Sequence, residues 1–416
     1  MSRAPADPPR GPDATPRAAT EPDDEMVGRV STGPDRPPKK RTPPALHGAA
    51  YLAIRALLSA PLIAGPNASV EIAGSLGRRF GAARFNRKRL DRAIASVAHA
   101  FPDRDQAWAR ETAIRSYEHL FRLGIEVAYT PRLMSDEGWV ERCELANVGP
   151  AMGAIAQNER PVLMLTGHCG NWELLGYTMA LIGFPTHALY RPLDMKPLDA
   201  WLRRTRQRRG LVLVDKFGAA RVLPKLIEQH KPIGFVADQN AGDRGLFVPF
   251  MGRLASTYKT IGLLARRFRA DVICACARRL SDRNMVEAAP PLAPGEVDYA
   301  GWSIERAGNF RYRLEIHDVI RAEDYEPQPD PLFYLTARYR RAIEQMVRRA
   351  PEQYLWMHRM WKSRPRHERL NRPFPAPLRE KLAALPWMDD AGVEQIVAQS
   401  DQDRAWLKAN GTDRLG

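Results

Sequence analysis

Cysteine is scarce in this 416-residue chain: Cys143, Cys169, Cys274 and Cys276 are the only four, and none forms a C-x-x-C pair. That excludes a disulfide-stapled scaffold and a zinc knuckle, and it fits a reducing, cytoplasmic compartment. The nine His are scattered, with no H-E-x-x-H or comparable cluster, so no metal site is expected. No internal repeat and no nucleic-acid-binding motif is visible, so nucleic acid is not an expected partner. A clean apolar run is also missing. The best window, residues 46–64, carries Arg55 near its middle and Pro61 near its end. A spanning helix wants about 20 apolar residues, and a central Arg costs about 2.5–3.5 kcal/mol on insertion. No apolar core follows the start of the chain, which argues against a secretory signal.

Acidic charge is in deficit. Against 63 Lys and Arg stand 48 Asp and Glu, for a net charge of +15. Residues 1–45 are rich in Pro, poor in apolar side chains and nearly neutral. They bury too little to offset their ordering entropy and are expected to be a disordered tail. The positive charge therefore sits in the remainder, whose partners should be anionic. Across residues 46–90, Ile72, Leu76, Phe80 and Phe85 alternate with Arg78, Arg79, Arg84, Arg87, Lys88 and Arg89. That mixture suits an amphipathic helix lying on an anionic membrane surface, with a span or an ordinary packed helix as alternatives.

Asp103 is placed to cap a long helix ending before Pro131. From residue 161 onward, short apolar runs at 162–165, 187–190, 211–214, 233–237 and 272–277 alternate with helical stretches at 198–209, 219–229 and 256–268. A further strand is expected at 313–316 and a helix at 331–349. This alternation predicts an α/β fold with a mixed, largely parallel sheet flanked by helices. The division expected is a tail (1–45), a membrane-associating segment (46–90), a catalytic domain (91–366) and a polar C-terminal appendage (367–416).

Sites in such sheets gather at the carboxyl ends of strands. The run at 162–165 leads into Thr166-Gly167-His168-Cys169-Gly170-Asn171-Trp172-Glu173. On one continuous helix His168 and Glu173 would point about 140° apart. They meet only if the chain turns between them, which Gly167 and Gly170 permit. An imidazole held by a carboxylate is equipment for deprotonating a hydroxyl. The Gly170 and Asn171 amides, at a helix start, are candidate donors to a developing oxyanion. Cys169, adjacent to His168 and diverging from it, reads as a packing residue rather than a nucleophile.

HCGNWE resembles the H-x4-D/E motif of glycerolipid-type acyltransferases, and its H-x-G-N-W-E form is similar to that of the bacterial lipid A biosynthesis lauroyl/myristoyl acyltransferase family. Further blocks agree in order: AHAFPD at 98–103, Tyr190-Arg191-Pro192 followed by Leu198, Ala237-Asp238-Gln239, FVPF at 247–250, and APEQYLWMHRMWKSRP at 350–365. The likeness covers roughly residues 46–366 and leaves both ends of the chain without counterpart.

The resemblance implies a glycerolipid acyltransferase-like fold with an N-terminal membrane-associating helix. It also implies acyl transfer from an acyl carrier protein thioester to a hydroxyl of a lipid A precursor at the cytoplasmic face of the inner membrane. His168 would be the general base and Glu173 its partner, with no covalent acyl-enzyme, no cofactor and the acyl donor as co-substrate. Arg191 and the Asp238-Gln239 pair would line the same cleft, and Arg191, Lys216 or Arg244 would meet the phosphate of the glycolipid acceptor. Relatives that acylate other glycolipids, such as phosphatidylinositol mannosides, or that use acyl-CoA, keep donor and acceptor open. The Arg cluster at 203, 204, 206, 208 and 209, and that at 266, 267 and 269, would attract an acidic carrier protein or anionic head groups. Trp356, Met357, Met360 and Trp361 would wall an acyl channel or form plain core. A basic non-enzymatic binding module and a thioesterase-like hydrolase are the competing classes.

Overall fold

The computed structural model describes residues 65–135, 138–193, 195–280 and 310–415, with Gly48 and Leu52 besides. The expected tail, and nearly all of the 46–64 run, lie outside the described residues. Helices α1 (Pro66–Ala82), α2 (Arg87–Ala100) and α3 (Gln106–Leu133) come first. Asp105, not Asp103, caps α3: its side chain accepts from the Trp108 amide at 2.7 Å. Pro131 sits inside the last turn of α3 rather than beyond it. Helix α1 lies directly on α3. A Cβ on Gly77 would come within 2.6 Å of the Tyr117 carbonyl oxygen, so glycine sets that approach.

The α/β part follows in chain order: β1 (Cys143–Ala146), α4 (Gly149–Gln157), β2 (Val162–Thr166), α5 (Trp172–Leu181), β3 (His187–Tyr190), α6 (Lys196–Arg206), β4 (Val212–Asp215), α7 (Ala219–Glu228) and β5 (Ile233–Val236). Then come β6 (Leu246–Phe250), β7 (Arg253–Thr257), α8 (Lys259–Phe268), β8 (Asp271–Arg279), β9 (Tyr312–Ile320), α9 (Ala322–Tyr325) and α10 (Pro331–Arg349). Seven strands form one sheet in the order β1-β9-β8-β2-β5-β3-β4, parallel throughout except where β8 meets β9. The mixed, largely parallel α/β architecture is as expected. Strand β2 is buried along its whole length, in keeping with a central parallel strand covered on both faces. The β6–β7 hairpin stands apart as a two-stranded antiparallel sheet, and β7 takes residues 256 and 257 from the expected helix.

The last helices, α11 (Arg366–Arg369), α12 (Ala376–Ala383) and α13 (Asp390–Ala409), close the chain. Leu382, Leu385, Val393 and Ile396 join the same hydrophobic core as Leu163 and Ile233 of the sheet. Residues 367–415 are thus packed onto the domain. Fully buried Arg364 anchors them, pairing with Glu368 at 2.6 Å and with Asp403 of α13 at 2.7 Å. Among the described residues, no helix is long and apolar enough to cross a membrane.

Candidate active site

Strands β2 and β5 lie side by side with Thr166 opposite Val236, and the ladder runs one bond further, from the Ala237 amide to the Thr166 carbonyl. His168 and Asp238 each stand two residues beyond that matched pair, so the register itself brings them together. Asp238 Oδ1 lies 2.6 Å from His168 Nδ1, and its Oδ2 accepts from the His168 backbone amide at 3.0 Å. An ionised carboxylate only accepts, so Nδ1 carries the proton and the Nε2 lone pair is the ring's acceptor, facing the Gln239 side-chain amide. Asp238 is fully buried while His168 keeps an opening to solvent. Burial opposes charge on the imidazole, but the Asp238 carboxylate, its hydrogen bond and the Glu173 charge together raise the His168 pKa above the ordinary value. The same contact holds the Asp238 carboxyl far below the usual range despite its burial. Trp172 and His358 stand edge-on to the His168 ring at 5.0 and 4.9 Å, and Gln239 Nε2 is 3.5 Å from His168 Nε2.

The expected His168–Glu173 pairing is replaced. Glu173 lies in the first turn of α5, but its carboxylate is gripped bidentately by Arg206 of α6, through Nε at 2.6 Å and through Nη2. Its charge still favours the imidazolium from a distance. The carboxylate that touches the imidazole is Asp238, which the sequence reading had placed in the cleft without that role.

The oxyanion expectation for Gly170 and Asn171 is also corrected. The Gly170 amide donates to the Gln353 carbonyl at 3.1 Å and the Asn171 amide to the Ala277 carbonyl at 2.7 Å. Asn171 is fully buried, caps α5 by accepting from the Leu174 amide and donates its side-chain amide to Glu126 at 3.0 Å. Both residues fix the loop rather than face the cleft. Gly170 has φ +59°, and a Cβ there would collide with the Ala277 carbonyl oxygen. Gly170→Ala should therefore cost about 1–3 kcal/mol through backbone strain alone. Urea denaturation checks this, and an unchanged midpoint would contradict the account.

Arg191 follows the carboxyl end of β3, the strand beside β5, and is exposed, so it stands at the same edge of the sheet as His168 and Asp238. Lys216, after β4, and Arg244 are exposed as well. Cys169 is buried with its thiol against the Met346 sulfur at 3.8 Å, and desolvation pushes its pKa well up, which disfavours a thiolate nucleophile. Trp356, Met360 and Trp361 belong to the main core.

Two groupings escaped the sequence. Cys276, Glu315 and His317 bring ligand-type atoms together across the β8–β9 pairing, but Glu315 is already held by Arg278 at 2.6 Å, with Arg349 at 3.7 Å. Beneath the loop, Arg279 at the end of β8 pairs with Glu126 of α3 at 2.5 and 2.8 Å and donates to His119 Nδ1 at 2.8 Å. His119 Nε2 then holds the Gly170 carbonyl at 3.0 Å. His119 and Glu126 are two helical turns apart on the buried stripe of α3, where spacing alone demands apolar residues; that misfit was the available signal.

Residues 40–293 and 302–363 match the profile of the bacterial lipid A biosynthesis acyltransferase family. A lipid A biosynthesis palmitoleoyltransferase from Escherichia coli is 28% identical over 209 residues, which cover 50% of this chain and 57% of that protein. A lipid A biosynthesis lauroyltransferase from the same organism is 22% identical over 291 residues, covering 68% of this chain and 82% of that protein. The matched region thus spans little more than half the length of the palmitoleoyltransferase. The family match includes the whole β2–α5 loop, the Asp238 strand end and the segment that carries His358. The chain belongs to the bacterial lipid A biosynthesis acyltransferase family.

Proposed function

We propose that the protein transfers a fatty acyl chain from a thioester donor to a hydroxyl of a lipid A precursor or closely related glycolipid, with His168 as general base. One observation carries this reading: a partly open imidazole whose Nδ1 proton is held by buried Asp238 at 2.6 Å, leaving Nε2 as the acceptor. The acceptor hydroxyl gives its proton to Nε2 while its oxygen attacks the thioester carbonyl carbon. The carbon–sulfur bond of the tetrahedral intermediate then breaks, and the departing thiolate takes the proton from the imidazolium. No acyl-enzyme forms, in keeping with the buried, protonated Cys169 thiol. Asp238 stabilises the imidazolium in a desolvated setting, where fixed charges act strongly. The exposed Gln239 amide beside Nε2 is the nearest donor for the developing oxyanion. The Glu173–Arg206 pair ties α6 to α5, and the Glu173 carboxylate favours the charged form of the ring.

The donor in this reading is an acyl carrier protein, whose acidic surface would meet Arg204, Arg208 and Arg191, all exposed. Arg191 and Arg244 supply bidentate donors for a glycolipid phosphate. Association with the inner membrane would be peripheral through α1 and the turn after it. There Ile72, Leu76 and Phe85 are exposed, Phe85 by 78%, beside Arg79, Arg84, Arg87, Lys88 and Arg89.

The test supplies the protein with long-chain acyl carrier protein and a lipid A precursor and analyses products by mass spectrometry. Acylated glycolipid is expected. Free fatty acid with the acceptor left unmodified would replace this reading with a hydrolase. Acyl-CoA as an alternative donor decides the co-substrate.

A further inference from the structure

A cavity of about 540 Å³ opens between α2, residues 359–362 and α13, and none of its lining residues is among those around His168. That volume falls within the range of small-molecule sites, about 300–1,000 Å³. One wall, formed by Gln399, Gln402, Asp403, Trp406 and Leu415, comes from chain beyond residue 363, where the family match ends. The cavity is therefore closed on one side by chain outside the family match.

Its chemistry is specific. Trp406 supplies an exposed flat apolar face, and Arg92, Arg253, Arg359 and Lys362 outnumber Asp91 and Asp403. Asp403 is itself occupied, by Arg253 at 3.0 Å and Arg364 at 2.7 Å, so the surplus is cationic. Trp361 is only 5% exposed while Trp406 is 44% exposed, so the aromatic face open to a ligand is that of Trp406. The Arg253 guanidinium packs over the Trp361 ring at 5.4 Å, fixing both groups at the floor.

We propose that this cavity is a binding site for a small organic anion with a planar aromatic body. The ring would lie against the exposed face of Trp406, and a phosphate or carboxylate oxygen would accept from the Arg92 and Arg359 guanidinium groups. Phosphate suits the fork geometry of Arg, and an aromatic body suits cation–π and stacking contacts. The proposal stands apart from the acyl-transfer reading, since its test needs no turnover.

Isothermal calorimetry on the full chain with 2-naphthyl phosphate, 2-naphthoate and the neutral 2-naphthol tests it, with inorganic phosphate alone as a further arm. Saturable binding of one or both aromatic anions at a single site is expected, with at least tenfold weaker binding of naphthol; which anion binds tighter identifies the head group. Arg92→Ala/Arg359→Ala should weaken the anion at least tenfold, and Trp406→Ala, a change at an exposed position, should weaken it as well. Binding that ignores all these substitutions, naphthol binding as tightly as the anions, or no binding at millimolar concentration would each overturn the proposal. Inorganic phosphate binding as well as the aryl phosphate would reduce the site to an adventitious-anion patch and overturn it too.

Discussion

Asp238→Asn is expected to lower the rate of acyl transfer by about 10²–10⁴-fold, and His168→Ala by at least as much. The argument rests on tautomer and charge. Asp238 accepts the Nδ1 proton at 2.6 Å and so leaves Nε2 free to take the hydroxyl proton. An Asn can turn its NH₂ toward Nδ1 and trap the opposite tautomer, which presents an N–H where a lone pair is needed. The pH profile separates this from a loss of structure. Burial lowers the His168 pKa, while Asp238 and the Glu173 charge together raise it by more, so the net direction is upward from the ordinary 6.5. The base form is required, so kcat/KM in the wild type should fall as pH drops through a midpoint above 6.5. Without the carboxylate, burial is left unopposed by its main counterweight, and the midpoint should move downward while the plateau falls. Glu173→Gln should shift the midpoint in the same direction by less, because its carboxylate is held by Arg206. Near-full activity in Asp238→Asn, or an unmoved midpoint, would remove Asp238 from the mechanism.

That assignment differs from the sequence expectation for a physical reason. The strands were legible because short apolar runs such as those at 187–190 and 233–237 stand out between helical stretches, and the helix at 331–349 is as expected. The loop after β2 was legible as a site because reactive side chains crowd a strand end. The carboxylate facing His168 was not. Its identity depends on the register between β2 and β5, strands separated by some seventy residues, and no local pattern encodes that. Glu173 was the nearer candidate in sequence, yet the face it takes on α5 is set by where α6 packs and brings Arg206. Likewise, the Gly170 and Asn171 amides look free at a helix start until tertiary contacts with Gln353 and Ala277 claim them. Strand β1 and helix α4 were missed because they are short, and the β6–β7 hairpin because its second strand runs almost directly into α8.

The second large effect concerns folding rather than chemistry. Glu126→Gln should destabilise the protein by about 3–5 kcal/mol, because it leaves the Arg279 guanidinium buried without a countercharge. Arg279 is 4% exposed and Glu126 wholly buried, so water cannot compensate either one. The pair is built into four elements. Glu126 comes from α3 and Arg279 from the end of β8, while Asn171 donates to the Glu126 carboxylate. The Gln353 side chain closes on the Arg279 backbone, with both bonds at 2.9 Å. His119 depends on the same geometry. Arg279 donates to its Nδ1, which leaves Nε2–H to hold the Gly170 carbonyl, and burial beside Arg279 keeps the ring neutral. Breaking the ion pair thus loosens the loop that carries His168. Glu126→Leu/Arg279→Met removes both charges, and the double variant should be more stable than the sum of its single changes predicts, as expected for coupled neighbours. Urea midpoints for the four proteins of this cycle measure the coupling. Activity assayed below the unfolding transition then reads the positioning effect alone, as a fall in kcat at nearly constant KM. Single variants within about 0.5 kcal/mol of wild type, the range of ordinary surface changes, would show that this buried pair does not hold the loop.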